Sequence, residues 1–500
     1  MTKICLCLTG KTIAQDLALI DKYRTYIDIA ELRVDCLEDK EYEYIRRFPE
    51  LAGLPVILTV RRKIDGGCFI QGEAARILLI SRGLAFAKLD HRQNFAYVDL
   101  EEDLDIPSLE EVVRAFGTRI IRSFHNLHCT DPNLESHLRS LFRVGDEIAK
   151  AAVTPHSLDD VRRVVSVAKT LRGRDTIILA MGDCGQCTRI LAAKYGGYLT
   201  YTSAQAEDNV PSGAPGHIDP IELSERYRFR KMNAATAVYG ITGYPLVTTL
   251  SPQFHNEVVA REEINAVYVR FPSETIDEFM RFADEIELCG ASITVPHKEA
   301  VISYLTSADT QVAMIGACNT IIRTDNGWRG WNTDASGFSG SFLATTNRKD
   351  FKRMKVTVIG AGGAARAILA EIARLGGKVL LLNRNLYRAR QLAEKYHFEY
   401  GLLDDRDSLR RIKKFSNIIV QTTSVGMEPD IYADPLPNYD FTGKEVVMDI
   451  IYKPEHTAFL SRALDAGCTV INGYDMLIRQ AKYQFEHFFG RKYPEIQPKP

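Results

Sequence analysis

The sequence has no apolar run long enough to cross a membrane and no excess of charge of either sign. Its longest apolar segments have the length of strands, whereas a transmembrane helix needs about 20 apolar residues. The 63 basic and 64 acidic side chains nearly cancel, so no global field favours nucleic acid or an anionic membrane as a partner. We also find no internal repeat and no low-complexity segment.

Signals for export and for metal binding are missing as well. Ile4–Leu8 is too short for a signal h-region and lacks a cleavage motif, so we expect no targeting segment. The ten cysteines are scattered, and several lie in apolar runs, which is typical of reduced thiols in a cytoplasm. Cys184 and Cys187 form a C-x-x-C without a second pair at zinc spacing. We interpret it as a plain loop and expect no metal.

The length and composition predict a multidomain globular enzyme. The chain has 500 residues, 45% of them hydrophobic and 25% charged, which is too long for one core and suggests two to four domains. Glu222–Asn233 is polar and rich in charge, and a new strand follows it. We therefore place a domain boundary near Met232, with 1–232 as one domain and 233–500 as the other.

Apolar, β-rich runs alternate with helical stretches through the first 200 or so residues. This length and rhythm predict a (β/α)8 barrel, although alternation alone also fits a doubly wound sheet. The predicted strands are Ile4–Leu8, Ile27–Val34, Pro55–Val60, Ala96–Leu100, Arg119–Phe124, Glu147–Val153, Thr176–Met181 and Tyr198–Thr202.

Polar residues interrupt these strands where barrel enzymes carry their chemistry, at the carboxyl ends. Glu31, Arg33 and Asp35 alternate along the second strand, so they share one face. Lys150 lies inside the apolar run IAKAAV, and a buried lysine is costly unless it is neutral or paired. A neutral lysine is a nucleophile that forms a Schiff base with a ketone. His125, on the preceding strand, has the chemistry of an acid/base for that adduct.

Three arginines at other strand ends suit an anionic substrate such as a carboxylate. They are Arg33, Arg61 and Arg189. The alternative is structural: a lysine that reaches solvent at a strand end, and a satisfied core histidine. The joint placement of Lys150 and His125 on successive strands favours catalysis.

The motifs of this half resemble type I 3-dehydroquinate dehydratase. They are ELRVD (Glu31–Asp35), TVRRKIDGG (Thr59–Gly67), SFHN (Ser123–Asn126), IAKAAVTP (Ile148–Pro155), MG with TR (Met181, Gly182, Thr188, Arg189) and APG (Ala214–Gly216). The resemblance implies an imine on Lys150, with His125 removing the adjacent proton and then protonating the departing hydroxyl. It also implies that Glu31 orients His125.

The resemblance is incomplete at the substrate lid. Gly213 and His217 stand where relatives carry a serine and a glutamine, and Asp65 stands for a glutamate. We expect Gly213 and His217 still to line the substrate site. If His217 must be charged to donate a hydrogen bond, substrate affinity should weaken above its pKa.

The second half contains a dinucleotide fingerprint. Val356–Ile359 is a β-branched run, and Gly360, Gly362 and Ala365 give G-x-G-x-x-A before an apolar helix, which is the context for pyrophosphate binding. The next strand ends in Asn383 and Arg384, where a site for NAD would have a carboxylate. Arginine suits a 2′-phosphate, so we predict NADP, the alternative being a solvated basic helix start.

The second half also contains signals for helix starts. Thr248–Pro252 predicts the start of a helix with Ser251 as its N-cap, and Trp331–Asp334 leads into a further helix. A last helix is predicted over Tyr474–Phe489.

Hydroxyls, amides and one Lys–Asp candidate pair precede this fingerprint. Lys298 and Asp334 have the chemistry to pass an alcohol proton while a hydride moves. From spacing alone, a surface ion pair is an equal alternative.

The motifs of this half resemble shikimate dehydrogenase. They are GITGYP and SP (Gly240–Pro252), SITVPHK (Ser292–Lys298), GACNT (Gly316–Thr320), WNTDASG (Trp331–Gly337), GAGGAAR (Gly360–Arg366), NR (Asn383, Arg384), TTSVGM (Thr422–Met427), DIIYKP and T (Asp449–Thr457) and NGYDMLIRQA (Asn472–Ala481). The resemblance implies a two-lobed α/β unit, with 233–340 and 472–500 as substrate lobe and 341–471 as Rossmann-type NADP lobe.

The same resemblance implies residue roles. Lys298 and Asp334 would be catalytic, and the substrate contacts would be Thr249, Ser251, Thr294, Asn319, Asp334, Tyr452 and Gln480. The cofactor contacts would be Gly360, Ala361, Gly362, Gly363, Ala364, Asn383, Arg384, Thr423 and Gly473. Ser292 and Gln421 each replace a usual asparagine, and Gln421 lies in the cofactor lobe.

The two resemblances predict consecutive reactions, from 3-dehydroquinate to 3-dehydroshikimate and then to shikimate with NADPH. The sequence leaves three alternatives open: another Schiff-base lyase or aldolase in the barrel, NAD-dependent oxidation of quinate or shikimate, and a ligand-binding scaffold without catalysis. The substrates are small molecules, and we infer no obligate protein partner.

Overall fold

The computed structural model describes residues 1–85, 88, 93–143, 146–246 and 249–494. The chain divides into two compact units, one from Met1 to Leu288 and one that begins at Cys289. This division falls inside the predicted substrate lobe, since the segment after Met232 packs with the first unit. The predicted boundary near Met232 stays a prediction. Thr248, in the predicted start of a helix, lies outside the described residues.

Eight parallel strands form the N-terminal barrel. They are β1 (Lys3–Leu8), β2 (Ile29–Arg33), β3 (Val56–Thr59), β4 (Tyr97–Glu101), β5 (Arg119–Asn126), β6 (Ile148–Val153), β7 (Thr176–Ala180) and β8 (Leu199–Ser203). Each strand pairs with the next from β1 to β7, and β8 pairs with β1. Tyr198 N donates to Thr176 O over 2.8 Å, which nearly closes the ring. The predicted (β/α)8 barrel is confirmed.

Helices connect these strands. They are α1 (Ile13–Tyr23), α2 (Phe48–Ala52), α3 (Glu73–Leu84), α4 (Pro107–Ala115), α5 (Leu134–Ser140), α6 (Leu158–Thr170), α7 (Gly182–Ile190), α8 (Ala192–Tyr195) and α9 (Pro220–Glu225). Thr12 caps α1 and Ser157 caps α6 through their side-chain oxygens, as their residue types favour. The predicted loop at the C-x-x-C is wrong, because Cys184 and Cys187 lie inside α7.

The barrel interior changes from apolar to polar along the strands. A buried cluster that includes Cys5, Ile29, Ile57, Ile121 and Ile148 fills one end. Side chains alternate between the two faces of a strand, so the next inward-facing position lies two residues on. That step leads to the polar set Cys7, Glu31, Thr59, Ser123 and Lys150, which is buried. The polar layer lies toward the carboxyl ends of the strands.

The rest of the first unit comprises β9 (Ala237–Gly243), α10 (Ser251–Arg261), β10 (Ala266–Pro272) and α11 (Ile276–Glu285). Strands β9 and β10 are parallel. The prediction of Ser251 as an N-cap is wrong, because Leu250 occupies that position and Ser251 is the first helical residue. Instead, Thr249 Oγ1 accepts a hydrogen bond from Ser251 N over 3.2 Å.

The second unit begins with four strands and two helices. They are β11 (Gly290–Ile293), β12 (Leu305–Ala308), α12 (Thr310–Ile315), β13 (Thr320–Thr324), β14 (Gly327–Trp331) and α13 (Asp334–Thr346). Strand β13 is antiparallel to both β11 and β14, and β12 is parallel to β14. Helix α13 begins at Asp334, as WNTDASG predicts.

A six-stranded parallel sheet follows. Its elements are β15 (Lys355–Ile359), α14 (Gly363–Arg374), β16 (Lys378–Asn383), α15 (Leu386–Glu394), β17 (Glu399–Leu402), α16 (Arg406–Lys414), β18 (Ile418–Gln421), β19 (Val446–Asp449), α17 (Ala458–Asp465) and β20 (Thr469–Ile471). The order β17-β16-β15-β18-β19-β20 is the 3-2-1-4-5-6 order of the Rossmann fold. Ligands of such sheets bind where the order reverses, here between β15 and β18.

Helix α18 (Tyr474–Phe489) ends the described chain and packs on α13. Its bounds match the predicted helix. Gly337 of α13 allows the close approach, because a Cβ there would lie 2.9 Å from the carbonyl oxygen of Met476. Among the described residues, no helix is both long and apolar enough to span a bilayer.

Candidate active sites

Lys150 lies at the centre of the polar end of the barrel. Its side chain is 6% exposed. The ammonium Nζ donates to Asp99 Oδ2 over 2.7 Å and to the Tyr201 hydroxyl over 3.1 Å, and Glu31 Oε1 lies 3.8 Å away. The lysine predicted from an apolar strand is therefore buried and paired, and it does not extend into solvent.

Arg61 joins Lys150 to His125 through a shared carboxylate. Its guanidinium lies 2.8 Å from Asp99 Oδ2 and 2.6 Å from Glu101 Oε1, and Nη1 lies 3.3 Å from His125 Nδ1. Burial alone would raise the pKa of Asp99, but Arg61 and Lys150 outweigh it and hold that pKa below its usual value. The site thus carries a fixed negative charge between two cations.

His125 is held in its neutral form. Burial lowers its pKa well below the usual value, and the nearby charges of Arg61 and Lys150 lower it further. Both effects disfavour the imidazolium. Strand β5 runs on through His125 to Asn126, whereas the predicted strand ended at Phe124, so the imidazole projects from a regular strand. A neutral imidazole near neutral pH can accept a proton.

Glu31 does not contact His125 in this structure. Its carboxylate accepts hydrogen bonds from Thr59 Oγ1 over 3.0 Å and from Cys7 Sγ over 3.2 Å. Its next polar neighbour is Lys150. No contact between Glu31 and the imidazole therefore supports the predicted orienting role, which stays a prediction. The group next to His125 Nδ1 is the Arg61 guanidinium.

The three predicted arginines have different surroundings. Arg33 forms a two-point ion pair with Asp35, at 3.0 and 2.7 Å, and Arg61 is paired as described above. Arg189 is 2% exposed and, among the described residues, has no carboxylate partner. Its Nε has no hydrogen-bond partner either. Burial lowers the pKa of Arg189 to about 10, which leaves this cation available for a substrate anion.

The lid residues Gly213 and His217 both contact the hydroxyl of Ser203. A Cβ at Gly213 would lie 2.4 Å from Cys7 Sγ, so a serine at this position would collide with β1. His217 Nδ1 lies 2.5 Å from Ser203 Oγ, and its ring stacks on Tyr201. Burial and then Arg189 lower the pKa of His217 well below the usual value. If substrate affinity weakens above the pKa of His217, as predicted, the weakening should therefore occur below neutral pH.

Sequence reasoning missed Asp99, Glu101 and Tyr201. Asp99 and Glu101 alternate along β4, in the same pattern that singled out Glu31 and Arg33 on β2. Since alternating residues share a face, the same criterion applied to YVDLE would have found both. Tyr201 carried no such signal, because a tyrosine in a strand is common.

The second unit contains the predicted Lys–Asp pair. Lys298 Nζ donates to Asp334 Oδ2 over 2.6 Å, and their side chains are 13% and 8% exposed. This burial is unlike that of a surface ion pair. Asp334 is the first residue of α13, where a carboxylate interacts favourably with the helix dipole.

Amide side chains fix the orientation of Asp334. Asn319 Nδ2 donates to Asp334 Oδ1 over 2.8 Å and lies 3.5 Å from Gln480 Oε1. Ser292 donates to Gln484 Oε1 over 2.8 Å, and Gln484 in turn donates to Asn319 O over 3.1 Å. Ser292, which replaces the usual asparagine, is therefore connected to Asn319 through Gln484.

The other predicted substrate contacts are more dispersed. Thr294 and Tyr452 are partly exposed and follow β11 and β19. Thr249 and Ser251 belong to the first unit, where their hydroxyl oxygens lie 3.2 Å apart. The structure thus brings Lys298, Asp334, Asn319 and Gln480 together in the second unit.

The glycine turn fits a dinucleotide. Gly360 has φ +105°, and a Cβ there would lie 2.6 Å from Thr422 Oγ1. A Cβ at Gly362 would meet nothing within 4 Å, so its backbone borders open space at the start of α14. Helix N-termini of this kind bind phosphate. A Cβ at Gly363 would lie 3.0 Å from Lys298 Cδ, which sets the turn beside the Lys–Asp pair.

The remaining cofactor candidates surround this turn. Asn383 Nδ2 donates to Asn385 O over 3.0 Å, and Arg384 is exposed, with no ion pair to any residue that the structure describes. Gln421 accepts from Thr423 N over 2.7 Å and so shapes the loop after β18. Gly473 is required at its position, since a Cβ there would lie 2.0 Å from Ile450 O. Ala361 and Ala364 lie in the turn and the first turn of α14.

Family models match the chain in three consecutive segments. The type I 3-dehydroquinase model matches residues 4–234. The model of the shikimate dehydrogenase substrate binding domain matches residues 241–321, and the shikimate / quinate 5-dehydrogenase model matches residues 342–429.

Curated relatives cover either the whole chain or its second half. A bifunctional 3-dehydroquinate dehydratase/shikimate dehydrogenase of Arabidopsis thaliana is 29% identical over 94% of this chain and 78% of its own length. A shikimate biosynthesis protein AroDE of Chlamydia pneumoniae is 26% identical over 97% of this chain and 95% of its own.

A shikimate dehydrogenase (NADP(+)) of Caldanaerobacter subterraneus is 35% identical over 52% of this chain and 94% of its own. The two shikimate dehydrogenase models match within residues 241–429. The chain therefore belongs to the shikimate dehydrogenase family and carries, ahead of that region, a type I 3-dehydroquinase domain.

Proposed function

We propose that the protein is bifunctional. Its barrel dehydrates 3-dehydroquinate to 3-dehydroshikimate, and its second region reduces this product to shikimate with NADPH. The observation that carries the proposal is a pair of buried lysine–aspartate contacts, Lys150–Asp99 at 2.7 Å and Lys298–Asp334 at 2.6 Å. The two lysines fall in regions matched by two different family models.

In the barrel, Lys150 releases its extra proton and attacks the ketone carbon as a neutral amine, and loss of water, for which one proton is taken up, gives a protonated imine. The imine withdraws electrons, so His125 can remove the proton from the adjacent carbon. The protonated His125 then returns that proton to the departing hydroxyl, which leaves as water. Hydrolysis of the imine releases the product and restores Lys150. Arg189, which is buried and has no counter-ion among the residues that the structure describes, receives the substrate carboxylate.

Acidic residues order the cations of this site. Asp99 holds Lys150 and Arg61 apart at fixed distances, and Asp35 holds Arg33 against the end of β2. Glu31 supports Lys150 from 3.8 Å. His217 and the backbone of Gly213 line the lid beside Arg189, where the substrate carboxylate and hydroxyls find donors.

In the second region, Lys298 and Asp334 bind the hydroxyl that forms during reduction and supply its proton. Asn319, Gln480 and Thr294 hold the other ring hydroxyls, with Thr249, Ser251 and Tyr452 as further contacts. Polar donors of this kind suit a polyhydroxylated ring. NADPH, when bound, supplies the hydride. Its pyrophosphate would lie on Gly360–Ala364, its 2′-phosphate near Asn383 and Arg384, and its nicotinamide side near Thr423 and Gly473.

One assay tests both activities. The pure protein is given 3-dehydroquinate and NADPH, and the absorbance of the enone product and of NADPH are followed together. We expect the enone to form and NADPH then to be consumed. Lys150→Ala should abolish both signals with 3-dehydroquinate but still oxidise shikimate with NADP. Lys298→Ala should accumulate the enone and slow reduction by about 10²- to 10⁴-fold.

Two results would contradict the proposal. The first is a protein that borohydride and 3-dehydroquinate leave unlabelled at Lys150, which would indicate a different lyase or no catalysis. The second is faster turnover with NAD and quinate than with NADP and shikimate, which would indicate a catabolic dehydrogenase.

The ten free cysteines support a cytoplasmic location, which we include in the proposal.

A further inference from the structure

Two cysteines flank the barrel site without a part in the proposed reaction. Cys36 ends the short helical turn that follows β2, and Cys68 follows the glycine turn after β3. Their sulfur atoms lie within 4.8 Å of each other. Cys36 is partly exposed and Cys68 is exposed, so both can be reached from solvent.

Asp35 connects this thiol pair to the arginines of the site. Its carboxylate accepts from Cys68 N over 2.9 Å and from Arg61 N over 3.1 Å. The same carboxylate forms the two-point ion pair with Arg33, and Cys36 Sγ lies 3.9 Å from it. Any displacement of Cys68 therefore acts on the group that fixes Arg33 and the backbone of Arg61.

The arrangement suits oxidation better than metal binding. Asp35, Cys36 and Cys68 are the one set of three potential ligands at metal-binding distances within the described ranges. A cation there would have to displace Arg33 and two backbone N–H groups from Asp35. Burial and the Asp35 carboxylate also raise the pKa of the Cys36 thiol, whereas a metal needs the thiolate.

We propose that Cys36 and Cys68 form a reversible oxidation site, at which a peroxide joins the two sulfurs in a disulfide and thereby inactivates the barrel site. The exposed Cys68 thiolate attacks the peroxide and becomes a sulfenic acid, and the hydroxide that leaves takes up the proton that the thiol had lost, giving the first water. Cys36 sulfur then displaces hydroxide from Cys68 sulfur, and its proton leaves with that hydroxide as a second water. Two thiols lose two electrons, and one hydrogen peroxide is reduced to two waters.

The bond changes the geometry of the site. A disulfide requires a sulfur–sulfur distance of about 2.05 Å, so the two loops must approach each other and shift Cys68 N relative to Asp35. This consequence rests on the proposed dehydratase activity. Because displacement by about 1 Å can cost 10²-fold, we expect the disulfide to lower dehydratase kcat/KM roughly 10²-fold.

Mass spectrometry and kinetics test the proposal together. The full-length protein is treated with hydrogen peroxide, alkylated and digested. We expect a linked peptide pair containing Cys36 and Cys68, two hydrogens lighter than the reduced pair, and a fall in dehydratase activity that dithiothreitol reverses. Shikimate oxidation, measured in the same sample, should be unchanged.

Matched variants separate this pair from other thiols. Cys36→Ser and Cys68→Ser should keep their dehydratase activity in peroxide, whereas Cys129→Ser, which removes an exposed thiol after β5, should remain sensitive. Absence of the linked peptide overturns the site, and a linked peptide with unchanged dehydratase activity overturns the inactivation. If the untreated protein does not dehydrate 3-dehydroquinate, the proposed function is refuted. The presence or absence of the linked peptide then still shows whether Cys36 and Cys68 form a disulfide.

Discussion

At the scale of single residues, the barrel site depends on one carboxylate that serves two cations. Asp99 lies 2.7 Å from Lys150 and 2.8 Å from Arg61 and is fully buried. Removing one partner of a buried ion pair leaves the other charge uncompensated, at a cost of about 3–5 kcal/mol. We therefore expect Asp99 to be a positioning residue for the Lys150 amine, which attacks the ketone in the proposed mechanism.

Replacing Asp99 by asparagine tests this role. We expect Asp99→Asn to lower dehydratase kcat/KM by about 10²- to 10³-fold, since two adjacent cations then repel each other. Borohydride trapping on Lys150 should slow in parallel, while shikimate oxidation is unchanged. Asp103→Asn is the matched control, because Asp103 pairs with Arg62 with its side chain 58% exposed and should matter little. Full activity of Asp99→Asn would contradict the role.

The pH dependence of dehydration reports on His125. Burial, Arg61 and Lys150 lower its pKa, so the base is unprotonated down to a pH below that of an ordinary histidine, and the acid limb of kcat/KM should lie there. Arg61→Gln removes a cation and leaves Asp99 and Glu101 without that partner. Both changes favour the imidazolium, so the pKa of His125 should rise, by about one unit or more.

The measurement is the acid limb of log kcat/KM in the two proteins. An NMR titration of the His125 ring, assigned with a His125→Gln variant, distinguishes its pKa from that of other groups. An acid limb at the same pH in wild type and Arg61→Gln would show that Arg61 does not set the pKa of this base.

At the scale of elements, alternation along strands explains both what the sequence predicted and what it missed. All eight barrel strands were predicted from β-branched runs, because buried parallel strands are nearly continuous in apolar residues. Glu31, Arg33 and Lys150 were visible as polar interruptions. Asp99 and Glu101 interrupt β4 in the same way, so alternation along the strand also indicates these two residues.

Other differences have local causes that the sequence did not reveal. The sequence predicts a loop at Cys184 and Cys187, yet α7 begins at Gly182 and includes both. The sequence predicts Ser251 as an N-cap, but Ser251 is itself the first residue of α10. Thr249 Oγ1 accepts a hydrogen bond from Ser251 N. The Glu31 carboxylate faces Thr59 and Cys7, and such pairings depend on the register of strands distant in sequence.

Strand β10 carries an arginine that links two elements of the first unit. Arg270 lies 2.6 Å from Asp183 and 3.2 Å from Gln186 of α7, and it donates to Leu246 O over 2.9 Å. Leu246 precedes the segment that carries Thr249 and Ser251, the proposed contacts of shikimate. The barrel residue Asp183 thus holds Arg270 at Leu246, and we expect this contact to affect the position of those hydroxyls.

We expect Arg270→Leu to raise the KM for shikimate by about tenfold or more with little change in kcat, because hydrogen bonds to charged groups contribute about 1.5–3 kcal/mol. Asp183→Asn should act in the same direction with a smaller effect. The control is Arg281→Leu, which removes another contact of the first unit, the ion pair from α11 to Asp159, with an arginine side chain 52% exposed. An equal rise in KM for Arg281→Leu would attribute the effect to general loosening.

At the scale of the whole molecule, the two lysines proposed to be catalytic have no described contact residue in common. Lys150 and its partners lie in β2 to β6 and β8, whereas Lys298 and its partners lie between β11 and α18. The family models also match the two regions separately. Each reaction should therefore survive the loss of the other, and the intermediate should be able to pass between separate molecules.

A mixture of two single-site variants tests this independence. Neither Lys150→Ala nor Lys298→Ala alone should convert 3-dehydroquinate and NADPH to shikimate at the wild-type rate. An equimolar mixture should restore NADPH consumption after a lag, because 3-dehydroshikimate released by one molecule must reach another by diffusion. The lag should shorten as protein concentration rises, and stopped-flow absorbance at both wavelengths measures it. A mixture that never consumes NADPH would mean that the intermediate is not released, and that each reduction requires dehydration in the same chain.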